Sequence, residues 1–507
     1  MKLQNSIRVL KVLKIFQFCF LVVLPTMPET QIEEQVSLKL LVNKKTNKVI
    51  LAEAGKDFVD VLFSFLTMPL GTIARLVQKS DLGPVGVGCL GSLYGSVTNL
   101  HECLRTVTCK EMLLQPGNSS EEYCRSVKLN IDDTESSKHF LCTNFPVCSH
   151  YLLSTFKNER CDCGNHLAHL VSVKSDKVYN GFVNDVATFI VTDDLVVIPN
   201  AMDTSFGVLK KVGVKSLSSV QEMTVNVTKK KVLDLLKYSL LSKSTLTDLF
   251  LVKKPLLSNS QFSPSIIENN STIQIKVKVV MRKSDGKVMF AQGEEEFADF
   301  LFSFLTFPLG GVVRMLGGYS SIGSIDGLYN SIVGLDENKY LIAKEVKNRL
   351  IDPGLAPQLK LGMQMFPINE QASQYHCYFQ RRGYPNSIRF SVTKGHRSYD
   401  SKVEICKVLK LVDLKSSGGN LKGYAKGPAM FMATDDLVVE RMSPTSGVSL
   451  LNRLKTPIKD VEEKVVTIGI KEGLNILKAS LTSTSALTNG LSHLLLLPEV
   501  MEQKWYH

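Results

Sequence analysis

A ten-residue segment that occurs twice constrains the fold of this chain more than any other feature. The segment LFSFLTMPLG at Leu62–Gly71 returns as LFSFLTFPLG at Leu301–Gly310, with one residue changed. Shorter matches follow at nearly the same spacing, among them TDDLVV at Thr192–Val197 and again at Thr434–Val439. Such regular spacing indicates an internal duplication. The chain is therefore predicted to contain two homologous tandem domains.

Each copy begins with a pattern that is typical of a β-hairpin followed by a helix. Apolar and polar residues alternate over 36–42 and over 275–279, which favours half-buried strands. Asp285-Gly286 is a strong hairpin signal, because both residues tolerate a positive φ. The repeated segment then has apolar residues at helical spacing around most of its circumference. The predicted fold class is α+β, with β-hairpins packed on a buried apolar helix in each domain.

The ends of this helix are also marked in the sequence. Pro69 and Pro308 end it, because the residue before a proline is pushed out of the helical region. Acidic residues in its first turns, such as Asp60 and Asp299, are expected to interact favourably with the helix dipole.

The chain divides into four segments on this pattern. Residues 1–33 form a leader or an extension of the gene model, and residues 253–271, rich in Ser, Asn and Pro, form a linker. The first repeat covers residues 34–252 and carries a Cys-rich insertion, whereas the second repeat covers residues 272–497. The copies differ most in their middle segments, so function is to be sought there.

The start of the chain bears on localisation. Four basic residues precede the apolar run 15–24, as in a secretory signal or anchor. The run is short for a membrane span, which takes about 20 apolar residues, and Met27 resembles a natural chain start. A cytoplasmic protein is expected. The alternative is a protein of the secretory pathway, or one anchored to a membrane through residues 1–26.

The charge of the chain does not favour nucleic acid as a partner. The net charge is +12 at pH 7 over 507 residues, but the basic residues are scattered. The densest run, Lys229–Lys231, opens a predicted helix, which is typical of a solvated face. Nucleic-acid binding is therefore not expected, and membrane contact is expected only through a retained leader. An unidentified protein is the expected partner.

Cysteines are concentrated in the first copy and suggest a metal site. Eight of the eleven lie between Cys89 and Cys163. The tightest group comprises Cys142, Cys148, Cys161 and Cys163. Four thiolates can hold a tetrahedral structural zinc, and Gly164 lets backbone amides approach the sulfurs. The Cys-x-Cys spacing differs from that of usual zinc knuckles. Free thiols in a reducing compartment and disulfides in a secreted chain are the alternatives.

Two other motifs have ordinary structural explanations. GVGCLG at Gly86–Gly91 matches the dinucleotide-binding fingerprint, but it follows a helical pattern where a strand is required. The aspartate pairs of the TDDLVV segments offer carboxylates, yet aspartates in turns usually bind their own backbone. The histidines and serines lack the spacing of metalloprotease or nucleophile-elbow motifs. No catalytic or cofactor-binding residue is assigned, which favours a non-enzymatic protein.

Several segments together resemble a known family. VSLKLLV at Val36–Val42, AEAGKDF at Ala52–Phe58, LFSFLTMPLG and TDDLVV are similar to the plant family called domain of unknown function six-seven-four. RCDCG at Arg160–Gly164 is similar to a Cys-rich segment of that family's first repeat. The resemblance runs from about residue 34 to the end of the second copy. It implies a plant source and a two-repeat layout, but no activity, substrate or catalytic residue.

Two functions are compatible with these patterns. The first is a soluble, non-enzymatic interaction or scaffold protein with a structural zinc in its first repeat. The alternative is an enzyme or small-molecule binder that uses a cleft between the two repeats. Metal content and partner recovery test the first function, and a ligand-induced thermal shift tests the second.

Overall fold

The structure is a computed structural model, and it describes most of the chain after residue 33. The described residues are 34–83, 85–100, 102–175, 179–252, 273–362, 364–371, 373–381, 388–395, 405–412, 416–417, 420–421 and 423–495. The predicted leader and linker, residues 1–33 and 253–271, lie outside them. The chain from Gln35 onward forms one compact unit.

The described strands are short and lie in both halves of the chain. In order they are β1 (Gln35–Asn43), β2 (Lys48–Gly55), β3 (His139–Cys142), β4 (Leu152–Ser154), β5 (Glu159–Arg160), β6 (His166–Val171), β7 (Val173–Ser175), β8 (Thr188–Thr192), β9 (Val197–Pro199), β10 (Val220–Thr228), β11 (Ile275–Arg282), β12 (Val288–Gly293), β13 (Tyr375–Arg381), β14 (Ile388–Lys394), β15 (Ile405–Leu411), β16 (Ser416–Ser417), β17 (Asn420–Leu421), β18 (Phe431–Thr434), β19 (Val439–Arg441) and β20 (Val461–Ile468).

Helices alternate with these strands, which makes the fold α+β as predicted. In order they are α1 (Lys56–Thr67), α2 (Leu70–Val77), α3 (Leu90–Asn99), α4 (Val107–Leu114), α5 (Glu121–Cys124), α6 (Met202–Lys211), α7 (Lys229–Leu241), α8 (Thr245–Thr247), α9 (Glu295–Ser303), α10 (Leu309–Met315), α11 (Ile325–Gly334), α12 (Glu337–Tyr340), α13 (Lys344–Ile351), α14 (Pro444–Arg453), α15 (Ile470–Thr482), α16 (Ala486–Gly490) and α17 (Ser492–Leu495).

Two five-stranded antiparallel sheets have the same strand order. The first runs β10-β1-β2-β8-β9, and the second runs β20-β11-β12-β18-β19. Both contain the predicted hairpin, β1 with β2 and β11 with β12. This match is what an internal duplication predicts. The duplication and the domain boundaries themselves stay predictions.

The repeated segment forms the buried helix that its apolar pattern predicted. Every residue of α1 from Phe58 to Thr67 is buried. In the second copy, α9 continues into a 3-10 turn at Phe304–Thr306 that is buried as well. Helix α1 and the 3-10 turn after α9 each end two residues before their proline. A buried Phe contributes about 1.5–3 kcal/mol relative to an exposed one, so these helices lie at the centre of the stabilising core.

The two copies of the repeated segment lie side by side. Pro69 and Pro308 form an isolated antiparallel bridge. The Leu70 N–H donates to the Phe307 carbonyl at 2.9 Å, and the Leu309 N–H donates to the Met68 carbonyl at 3.0 Å. The largest hydrophobic cluster contains buried residues of both halves. The first and second halves of the chain therefore share one core.

A third sheet joins the segments in which the two copies differ. Its eight strands run β5-β6-β3-β4-β15-β13-β14-β7. Strands β3 to β7 come from the first half, and β13 to β15 come from the second half. They join through two parallel pairings, β4 with β15 and β7 with β14. This mixed sheet has a small hydrophobic cluster of its own.

None of the helices in the described ranges combines the length and the apolar character that crossing a bilayer requires.

Candidate metal site

The mixed sheet and its loops bring the four predicted cysteines together. Cys142 is the last residue of β3, Cys148 lies in the loop that follows, and Cys161 and Cys163 lie in the turn between β5 and β6. Cys142, Cys148 and Cys161 are buried within the hydrophobic cluster of the mixed sheet, and Cys163 packs against it. The four Sγ atoms all lie within 4.8 Å of one another. They are therefore close enough to hold a metal ion.

The sulfur separations are too long for disulfides within this group. Cys142 Sγ lies 3.5 Å from Cys163 Sγ, and Cys148 Sγ lies 3.6 Å from Cys161 Sγ. A disulfide would require about 2.05 Å, and all four residues are free thiols. A tetrahedral ion with metal–sulfur bonds of about 2.3 Å places its sulfurs about 3.8 Å apart. The two observed distances are close to that tetrahedral edge.

Backbone amides point at three of the four sulfurs. The N–H groups of Asn144, Cys163 and Asn165 bond the sulfur two residues earlier in the chain. Gly164 has a φ of +84°, which turns the chain tightly enough for these contacts. The predicted role of this glycine is therefore consistent with its geometry. Such amides stabilise negative charge on sulfur, as metal-bound thiolates require.

Asn165 was not anticipated from the sequence. Its side-chain amide lies 3.4 Å from Cys163 Sγ. This hydrogen bond is the main reason that the pKa of Cys163 falls to about 6, and the Asn165 backbone amide adds to it. Burial instead raises the pKa of Cys142 and of Cys161. Since metals bind thiolates, binding at this group is expected to release protons.

The three nearby histidines differ in their relation to the cysteines. The Nδ1 atom of His150 lies 3.3 Å from Cys148 Sγ, which places its ring beside the group. The Nδ1 atom of His166 lies 3.0 Å from the Asn158 carbonyl. His169 packs against an aromatic ring instead. Among the described residues, the candidate metal ligands are the four cysteines only.

The aspartate pairs have structural partners, although the backbone groups that Asp193 and Asp435 bind lie in a later segment and not in their own turn. Asp193 accepts the Thr247 N–H at 2.7 Å, and Asp435 accepts the Thr488 N–H at 2.8 Å. Asp194 accepts the Thr192 hydroxyl within its own turn. Asp193 and Asp435 thus tie a strand turn to the short helices α8 and α16, so they are not assigned to a cation.

Comparison with known proteins assigns the chain to a family but gives it no activity. A family model described as "Protein of unknown function (DUF674)" matches residues 32–471. Neither a curated protein nor a solved structure matches the chain. The match agrees with the family that the sequence segments resemble.

Proposed function

The chain belongs to the DUF674 family of proteins of unknown function, and we propose that it is a non-enzymatic interaction protein with a structural zinc ion. The convergence of four cysteine sulfurs carries this proposal. Four thiolates complete the tetrahedral coordination of zinc, so no position is left for water or substrate. The metal would therefore stabilise structure and take no part in catalysis.

The position of the cysteines indicates which structure the zinc would hold. It would link the end of β3 and the loop after it to the turn between β5 and β6. The hydrophobic cluster beneath this sheet is small, and a bound metal adds its binding free energy to the free energy of folding. Zinc is thus expected to stabilise the mixed sheet.

One of the loops held by the cysteines presents an apolar side chain to solvent. Val147 is 81% exposed and directly precedes the buried Cys148, whereas Phe145 in the same loop is buried. An exposed apolar residue on a rigid loop is suited to contact a protein partner. We therefore propose this loop, residues 143–150, as part of an interaction surface.

Metal analysis tests the zinc site. Purified protein is expected to contain about one zinc ion per chain, because four thiolates form one tetrahedral site. The double variant Cys161→Ser with Cys163→Ser is expected to contain less than about one ion per five chains, since two ligands cannot hold structural zinc. The readout is elemental analysis by inductively coupled plasma mass spectrometry.

A second double variant controls for the loss of two thiols. Cys103 and Cys406 lie outside the metal group, so replacing both by serine is expected to leave the zinc content unchanged. Wild-type protein without metal, or with iron as its main metal, would contradict the proposal.

Capture of partners tests the interaction surface. Val147→Asp is expected to weaken binding of a protein partner from extract of the source organism by at least about tenfold, because a charge replaces an apolar contact. Val186 is 94% exposed and lies outside the mixed sheet, so Val186→Asp is the matched control. Equal capture by both variants would contradict an interaction role at this loop, and turnover of a metabolite by the purified chain would contradict a non-enzymatic function.

A further inference from the structure

A cavity of about 310 Å³ lies beside the N-terminal half of α9, far along the chain from the cysteines. Its walls come from α9, from residues 273–275, from residues 361, 362 and 364–366, and from residues 423, 427 and 428, and Arg105 of the first half also lines it. Charged groups and aromatic rings both line it. The side chains that carry the argument are Arg105, Glu295, Asp299, Phe300, Met365 and Phe366.

The matching place in the first half shows how the chain neutralises a buried carboxylate there. Asp60 Oδ1 accepts the N–H groups of Phe182 and Val183 at 2.8 and 3.0 Å. Lys56, four residues earlier, places its Nζ 2.9 Å from Asp60 Oδ2. The same Nζ donates to the carbonyl of Val183 at 2.6 Å and to that of Asn180. A primary ammonium of the chain itself therefore occupies this position.

The second half keeps the buried aspartate but not the lysine. Asp299 accepts the Ala425 N–H at 2.7 Å and also the Tyr424 N–H. Four residues before it stands Glu295, at the place that Lys56 has in the first half. Two carboxylates therefore face the cavity where the first half has an ion pair.

Two glycines allow these carboxylates to lie against the backbone. A Cβ atom on Gly423 would lie 1.6 Å from Asp299 Oδ2, and one on Gly427 would lie 2.0 Å from Glu295 Oε1. Gly181 has the corresponding position against Asp60 in the first half, with a distance of 2.0 Å. The backbone is thus arranged around Asp299 as it is around Asp60. At the position of Lys56, however, the second half has Glu295, so an ammonium group beside Asp299 would come from another molecule.

The charge balance of the cavity favours a cation. Burial raises the pKa of Asp299 to about 7, and the Arg105 charge offsets only part of this effect. Burial raises the pKa of Asp60 less, to about 6, because Lys56 lies beside it. An ammonium group placed between Glu295 and Asp299 would stabilise both ionised carboxylates.

The apolar walls of the cavity indicate what the rest of a ligand would be like. The rings of Phe300 and Phe366 stack with centroids 5.8 Å apart, and Met365, which precedes Phe366 in the chain, also lines the cavity. Arg105 Nε and Gln364 Oε1 are buried atoms that have no hydrogen-bond partner among the described residues. These two atoms are shielded from the cavity as well as from solvent, so the cavity itself offers an apolar wall beside the two carboxylates.

We propose that this cavity binds an organic ammonium compound, a primary amine with an apolar body, whose ammonium group takes the place that the Lys56 ammonium has in the first half. The apolar body lies against Phe300, Met365 and Phe366. This site is independent of the zinc site and of the partner surface.

Calorimetric titration of the full chain with amines tests the proposal. The probes are tyramine, phenylethylamine and butylamine, and para-hydroxyphenylpropionate is the matched anion, in which a carboxylate replaces the amine of tyramine. Tyramine is expected to bind at least about tenfold more tightly than the anion. Absence of binding by all three amines, or equal binding of the anion, would overturn the proposal.

Two substitutions locate the binding. Glu295→Lys recreates the arrangement of the first half, so its ammonium is expected to fill the site and weaken tyramine binding at least about tenfold. Asp299→Asn keeps the shape of the side chain and is expected to weaken binding similarly. Glu294 is exposed and does not line the cavity, so Glu294→Lys is the control with the same change of charge. Unchanged affinity in both cavity variants, or an equal loss in the control, would overturn the assignment.

The pH dependence of tyramine binding gives an independent readout. Because the Asp299 carboxyl has a pKa of about 7 and must lose its proton to pair with the ammonium, affinity is expected to rise from about pH 5.5 to about pH 8. The groups facing Asp299 include Glu295, Arg105 and the backbone amides of Tyr424 and Ala425. In Asp299→Asn this rise should flatten, and an unchanged pH profile would contradict the role of Asp299.

Discussion

Replacing Gly323 by alanine is expected to lower the free energy of unfolding by about 3 kcal/mol or more, at the upper end of the usual range for single substitutions. Gly323 has a φ of +44°, and an added Cβ would lie 2.3 Å from the backbone oxygen of Ser239. The next residue, Ser324, donates its N–H to that same oxygen at 2.8 Å. The loop therefore cannot move away without losing a buried hydrogen bond.

Gly88 is expected to behave in the same way in the first half. Its φ is +49°, and an added Cβ would lie 2.3 Å from the Ser480 oxygen. The Cys89 N–H donates to that oxygen at 2.7 Å. Each loop thus docks on a helix of the other half, α15 or α7. Gly88 belongs to the segment that matches a dinucleotide-binding fingerprint. Its close packing against Ser480 explains why a glycine stands at this position, so no bound nucleotide is needed to account for it.

Urea unfolding followed by circular dichroism measures both effects. Gly95 is the matched control, since it lies inside α3 and an added Cβ would meet nothing within 4 Å. Gly95→Ala is expected to stabilise the protein by about 0.5–1 kcal/mol, because alanine loses less conformational entropy in a helix. The interpretation fails if Gly323→Ala and Gly95→Ala unfold at the same urea concentration.

Neither half of the chain is expected to fold alone. Helix α1 packs against α10 and α13 of the second half, and Phe63 on α1 is fully buried in the shared core. Removing residues 273–495 would expose this helix and remove the reciprocal hydrogen bonds between the Pro-Leu-Gly segments. Residues 34–252 expressed alone should therefore lack a cooperative unfolding transition, because the exposed apolar area cannot be compensated.

Expression of both halves together is the control for this experiment. Residues 34–252 and 273–495 on separate chains are expected to assemble into a one-to-one complex with the secondary structure of the full chain. A monomeric first half with a sharp thermal transition would show that the shared core is not required for folding. Size-exclusion chromatography with light scattering distinguishes the two outcomes.

Local patterns predicted the elements of the two five-stranded sheets well. Alternation marked the hairpins, helical spacing marked α1 and α9, and Pro69 and Pro308 marked their ends. These signals depend on neighbouring residues only, so they can be read along the chain. The cysteine group was also predictable, because four cysteines within 22 positions, 142 to 163, are rarely far apart in a fold.

Asp60 and Asp299 show where local reasoning was incomplete. Both were expected to interact with the helix dipole, but both are buried and accept N–H groups from a segment more than a hundred residues away, as the separations of 122 and 126 positions show. The spacing of apolar residues in α1 and α9 does not identify the segments that supply these N–H groups. The mixed sheet was missed for the same reason, since its strands come from the two segments that resemble each other least.

The sequence by itself determined the α+β class, the two buried helices that precede Pro69 and Pro308, and the group of four cysteines. Each depends on residue type and short spacing, which the chain displays directly. Only the tertiary structure decided that the halves share a core and that their divergent segments form one sheet. It also decided that Glu295 faces a cavity, whereas Lys56, at the matching place in the first half, pairs with Asp60. These features arise from contacts between residues distant in sequence, and such contacts follow from packing and not from local periodicity.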